Sequence, residues 1–119
     1  MFKKEGNSFI NNKISRFYFL TGCKYEIIGG SISIPGFSGE SGFYNFKKLE
    51  TIYFPENMTT LKYLGGHSMF LCNTLKNIIN LPNSIIYISS NSFENCSSLH
   101  LTKLSDNLRY IGQRAFYGC

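Results

Sequence analysis

The feature that most constrains this chain is a period. Cys72 and Cys96 lie 24 residues apart and Cys96 and Cys119 lie 23 apart, and the residues between them are self-similar. Leu75 matches Leu99, Leu81 matches Leu104, Ile85 matches Leu108, Ile88 matches Ile111 and Phe93 matches Phe116, with the later unit one residue shorter before Leu104. A unit from Phe46 joins the pattern through Leu49, Ile52, Phe54, Pro55, Leu61, Leu64, Gly65 and Phe70 if it carries three extra residues near Met58. A stretch from Cys23 keeps the 23-residue length, an Ile34-Pro35 step and Phe43, but its interior spacing is degraded. A recurrence of this length means stacked supersecondary units, because one unit cannot bury its own apolar face. The expected organisation is an N-terminal cap over 1–22 and an array over 23–119, with a degraded unit at 23–45 and units at 46–71, 72–95 and 96–119.

Each full unit carries two alternating apolar stretches: Leu49 to Phe54 then Leu61 to Leu64, Leu75 to Leu81 then Ile85 to Ile88, and Leu99 to Leu104 then Leu108 to Ile111. Alternation at this length predicts short strands. Composition agrees, since valine is absent, Ala115 is the one alanine, and isoleucine, phenylalanine and tyrosine carry the apolar content. Stacking puts like residues on like. The expected core columns are Phe70, Phe93 and Phe116; Leu49, Leu75 and Leu99; and Cys72, Cys96 and Cys119. Pro55 and Pro82 mark strand ends, because proline cannot donate to a ladder. Gly65 and Gly112 suit a tight backbone after the second strand, where the middle unit has Ser89.

These units resemble the BspA-type leucine-rich repeats, in which an alternating apolar strand, often ending in Ile-Pro, precedes an Ile-Gly step and Ala-Phe-x-x-Cys. Residues Arg109 to Cys119 are the best copy and Asn91 to Cys96 a fair one. Departures are Phe46 in place of cysteine, Phe70-Leu71-Cys72 one residue short, and Ser105 in place of proline. The resemblance implies a leucine-rich repeat solenoid of three to four coils, mostly short parallel strands with turns and short helical turns. It also implies a non-catalytic recognition module, with adhesion or host interaction at a cell surface or outside the cell. The Met1 end does not read as a signal peptide, and evenly spaced unpaired cysteines suit a reducing compartment slightly better, so localisation stays open, leaning to the cell surface or exterior that the resemblance implies.

Function falls to residues the columns do not consume. Between the two core positions of the second strand stand Tyr63, Tyr87 and Tyr110, one per unit, beside Lys62 and Arg109. If exposed, they form a ladder of rings suited to a protein or glycan partner; the competing reading is that they only brace the sheet. Glu50, Thr51, Tyr53, Lys76, Asn77, His100 and Lys103 on the first strand share no chemical theme. A net charge of +5 from dispersed lysines and arginines forms no basic patch, which argues against nucleic acid. His67 and His100 have no carboxylate or cysteine at a catalytic spacing, no Cys-x-x-Cys pair offers a metal site, and no phosphate loop or nucleophile motif occurs, so no enzyme activity, metal or cofactor is expected. No apolar run is long enough to span a membrane. A second class of function is structural: a segment of a longer array, or self-association through an open C-terminal coil.

Overall fold

The structure, a computed structural model, describes residues 14–19, 27–28, 43, 46–66 and 68–119. Cys23, Ile34-Pro35 and His67, and with them most of the degraded unit, lie outside the described residues. Seven short strands form: β1 (Arg16–Tyr18), β2 (Ile27–Ile28), β3 (Thr51–Tyr53), β4 (Tyr63–Leu64), β5 (Asn77–Ile79), β6 (Tyr87–Ile88) and β7 (Tyr110–Ile111). They make two parallel sheets, ordered β1-β3-β5 and β2-β4-β6-β7. From β1 to β6 the chain feeds the two sheets alternately, because each unit carries two apolar stretches and each stretch pairs with its equivalent in the next unit. The segment read as a cap contributes β1, with Phe17 opposite Ile52 and Tyr18 opposite Tyr53.

Between the sheets lies one core. Leu49, Ile52, Leu61, Leu64, Leu75, Ile85, Ile88 and Phe93 are fully or almost fully buried in it, each contributing about 1.5–3 kcal/mol by leaving water. The leucine column forms, with Leu49 and Leu75 buried and Leu99 half-buried against the core; of the cysteine column Cys72 and Cys96 are buried, while Cys119, with no further unit packed on it, is exposed. The thiols hold the units together by a repeated bond. Cys72 Sγ donates to Phe43 O (2.6 Å), Cys96 Sγ to Met69 O (2.9 Å) and Cys119 Sγ to Phe93 O (3.2 Å). None of the three forms a disulfide.

The phenylalanine column differs from expectation. Phe93 stacks on Phe116, with centroids 5.1 Å apart and planes 6° from parallel, and Phe93 N–H donates to Ala115 O (2.7 Å). The equivalent bond one unit earlier is Met69 N–H to Ser92 O (2.7 Å), and before that Phe43 N–H to Ser68 O (2.7 Å). Met69, not Phe70, therefore holds the column place; it is fully buried while Phe70 is half-buried. Met69-Phe70-Leu71-Cys72 has the full spacing, so this unit is not a residue short. An unbranched thioether fills a phenylalanine site because its free torsions adapt to the space.

Among the described residues no helix forms, so the short helical turns expected between the strands are absent. The segments before each cysteine are turns closed by bonds such as Ser92 N–H to Ser89 O (3.3 Å) and Cys96 N–H to Phe93 O (3.1 Å). Their backbone explains this. Leu71, Asn95 and Gly118 occupy one repeat position with φ of 63°, 63° and 79°, and Asn91 and Arg114 share another at 64° and 60°. Left-handed residues so close together interrupt a right-handed helix.

The last unit departs again. No strand forms over Leu99 to Leu104, and the first sheet stops at β5. Counting from the leucine column, Ile52 and Ile78 sit at the inward place of β3 and β5, while Thr102 falls there in the last unit and Leu101 falls on the outward side. A strand in that register would bury the threonine and expose the leucine. Instead the chain bends at Thr102, which is exposed, and Leu101 is drawn half inside. The residue by which the middle unit is longer is absorbed at Asn80, which has a φ of 60° and donates through Nδ2 to Phe54 O (3.2 Å).

Turns on the first-sheet side are tied across units by side chains. Thr74 Oγ1 donates to Leu49 O (2.8 Å), Ser84 Oγ to Leu61 O (2.6 Å) and Ser98 Oγ to Asn73 O (2.8 Å). Ser105 replaces the usual proline and donates through Oγ to Asn83 O (2.8 Å) while accepting from Asn107 N–H (3.1 Å). Asn83 also donates through Nδ2 to Asp106 (3.0 Å), and that bond, followed by the charge of Lys103, holds the Asp106 carboxyl below its ordinary value. Gly112 serves close approach: a Cβ there would lie 2.4 Å from Ser90 N and 2.8 Å from Ser89 C. Only a residue without a side chain lets the last unit settle onto the one before it.

Candidate functional site

The second sheet places Tyr63, Tyr87 and Tyr110 in a single row. β4, β6 and β7 pair so that Tyr63 faces Tyr87 and Tyr87 faces Tyr110, while the residue after each is the inward Leu64, Ile88 or Ile111. Alternation alone dictates this, because consecutive strand residues point to opposite faces. Tyr87 and Tyr110 stack, with centroids 4.4 Å apart and planes at 26°. Tyr63 meets Tyr87 edge to face at 6.1 Å and 72°. Tyr63 and Tyr87 are half-buried by this contact and Tyr110 is 46% exposed. Desolvation, then the neighbouring Tyr110, push the Tyr87 phenol above its ordinary value. The rings form one continuous aromatic strip with a wet outer edge.

Lys62 and Arg109 stand one residue before Tyr63 and Tyr110. Ile86 lies between them in the stack, since Ile86 N–H donates to Lys62 O (2.9 Å) and Arg109 N–H to Ile86 O (2.9 Å). The two cations therefore flank the strip two units apart and do not form a pair. Among the described residues neither makes a salt bridge; the three that exist are Lys76 with Glu50, Lys103 with Asp106, and Arg114 with Glu94.

A second aromatic row lies on the first sheet. Tyr18 and Tyr53 stack with centroids 4.3 Å apart and planes 5° from parallel, and Ile79 completes the row on β5. Tyr18 is 54% and Ile79 40% exposed. Beneath it Phe19 stacks on Phe54 at 4.7 Å. The repeat period does not reveal this row, because Tyr18 lies in a segment without a matching cysteine and Ile79 breaks the aromatic theme. The signal was present: Phe17-Tyr18-Phe19 reads like Ile52-Tyr53-Phe54.

The remaining polar side chains near the core are structural. Glu94 is buried, accepts from Asn91 Nδ2, and pairs with Arg114 Nη2 at 2.8 Å. Arg114 also lies 3.9 Å over the Tyr117 ring, and the Glu94 bond raises its pKa further. This cluster joins the last unit to its neighbour. His100 is exposed, and its N–H donates to Lys76 O (2.9 Å). Among the described residues no helix is long and apolar enough to cross a membrane.

Residues 12–119 match six copies of the BspA-type leucine-rich repeat region. No curated protein and no solved structure matches the chain. Repeats of this kind are in general non-catalytic protein-interaction modules. With its repeats carried on strands that pair in parallel and in register, the chain belongs to the BspA-type leucine-rich repeat family.

Proposed function

We propose that this chain is a non-catalytic recognition segment of a leucine-rich repeat solenoid, and that Tyr63, Tyr87 and Tyr110, flanked by Lys62 and Arg109, form its contact surface. One observation carries the reading: the three tyrosines share one register and merge into a strip of stacked rings, half-exposed at Tyr110. Tyrosine is favoured at interfaces because it offers a large rigid apolar area with a hydroxyl at its rim. The cations at either side supply charge for orientation and rate of encounter. A protein or glycan partner at a cell surface or outside the cell, in adhesion or host interaction, agrees with the family resemblance.

The second reading is a structural segment that assembles with further repeats or with another copy through the last unit. The exposed Leu104, Ile111 and Tyr117 favour it. Binding of the purified chain to an array of proteins and glycans, compared with the Tyr63→Ser, Tyr87→Ser, Tyr110→Ser triple variant, separates the two. The recognition reading expects a hit that the variant loses while its circular dichroism stays that of the parent. A hit that the folded variant keeps removes the ladder from the site. A parent without a hit but with a concentration-dependent mass supports assembly.

A further inference from the structure

We propose that the free edge of β5 binds an extended segment of another protein, which adds as a strand beside Ile78 in the cleft between β5 and residues 101–104. In a parallel ladder successive residues bond to opposite neighbours. The pairing of Ile52 with Ile78 commits the N–H and C=O of Asn77 and Ile79 to β3, and Phe54 N–H donates to Ile79 O at 2.9 Å. The N–H and C=O of Ile78 therefore face the next unit. The last backbone bond made to that unit is His100 N–H to Lys76 O (2.9 Å). Beyond it the chain bends at Thr102, and among the described residues no backbone group of 101–104 reaches Ile78.

The gap left by the missing strand is a cleft of about 460 Å³, with Ile79 and Leu81 on one wall and Leu101 and Leu104 on the other. Ile79 and Leu104 are among the exposed large apolar residues of the chain. An outward-facing donor and acceptor on one strand residue, in a cleft that sets Ile79, Leu81, Leu101 and Leu104 among polar side chains, match the backbone of an extended chain that alternates apolar and polar residues. A second copy does not fit edge to edge. Its own β5 edge is recessed between the same walls, so the two edges cannot approach to the ~4.8 Å that pairing requires. The three residues of β5 set the length of the segment. This site lies on the other sheet from the tyrosine ladder, and neither result depends on the other.

The test uses the full chain and a probe copied from the neighbour β5 already accepts: the acetylated, amidated peptide Leu-Glu-Thr-Ile-Tyr-Phe-Pro, residues 49–55. Its control is the same peptide N-methylated at Thr, Ile and Tyr, which cannot pair through either edge. The expected result is an Ile78 amide that exchanges quickly in the free chain and slows about tenfold or more with the peptide, with shifts confined to 77–83 and 100–104 and none from the control. The Ile78→Pro variant removes the outward donor without removing a bond to β3, and the binding is lost; if that variant does not fold, the methylated peptide decides. Slow Ile78 exchange in the dilute free chain, equal binding of the control, shifts elsewhere or no shift at millimolar peptide would each overturn the proposal. Slow exchange that appears only at high protein concentration makes a second copy the occupant, and overturns it too.

Discussion

At the scale of the residue, Cys72, Cys96 and Cys119 repeat because a small, weakly polar donor fits one place in these units, where Phe46 fills the same place without a donor one unit earlier. The thiol points at the carbonyl of the column residue one unit back, which also accepts a backbone N–H, and gives it a second donor from the next unit. Burial pushes the Cys96 thiol up, with Cys72 and Cys119 adding to the effect, and the Cys119 thiol is raised by the same desolvation. A thiol whose pKa is higher folded than unfolded stabilises the fold below the ordinary thiol value of about 8.5 and loses that contribution as pH rises beyond it. Urea unfolding from pH 7 to 10 should therefore show stability falling on the alkaline side, with a shallower fall in Cys96→Ser, whose hydroxyl donates to Met69 O and does not titrate. Cys96→Ala leaves Met69 O with the Cys72 N–H alone (3.2 Å) and opens a small void, costing about 1–2 kcal/mol at pH 7. Equal alkaline slopes in parent and Cys96→Ser would remove the thiol from the account.

At the scale of the element, one displaced threonine decides whether a strand exists. The last unit has the same composition type as the others, but its Leu101-Thr102 order is inverted relative to the in-out pattern of Thr51-Ile52 and Asn77-Ile78. Leu101→Thr with Thr102→Ile restores the alternation. The double variant should extend the first sheet by a strand, protect the amides of 101–103 and Ile78 from exchange, and raise stability by about 1–2 kcal/mol through the added inward isoleucine. It should also close the cleft beside β5. Unchanged amide protection in a folded double variant would place the cause of the bend in the turn chemistry of Ser105 and Asn83 instead. The alternation was legible in the sequence, yet Leu99 to Leu104 reads as a strand when its apolar residues are counted without their faces. The tyrosine row was legible for the converse reason, since Tyr63, Tyr87 and Tyr110 keep one face throughout.

At the scale of the molecule, stability in a repeat array is a sum over neighbouring units. Ile88 is buried with β4 on one side and β7 on the other, whereas Ile111 on β7 is 48% exposed. Ile88→Ala should cost about 2–5 kcal/mol and Ile111→Ala about 1 kcal/mol or less in denaturant unfolding. Similar losses at both positions would mean that Ile111 is covered in solution, the outcome expected of assembly through that unit. The two sheets also divide the proposed functions. Aromatic strips occupy both, and among the described residues the first sheet has, at β5, an edge that the following unit leaves unpaired.

What the sequence alone determined is whatever depends on which side chains are buried: the period, the leucine and cysteine columns, parallel stacking of like on like, and the shared face of the three tyrosines. Burial leaves a mark on residue type at every repeat, so it can be read without coordinates. What only the tertiary structure decided depends on the backbone. Met69 displaced Phe70 because the bond to Ser92 O sets the register. Helical turns gave way to left-handed residues at Leu71, Asn91 and Asn95, and β1 joined the first sheet from a segment without a matching cysteine. Backbone handedness and cross-unit hydrogen bonds are satisfied by many side chains, and for that reason they leave little trace in the sequence.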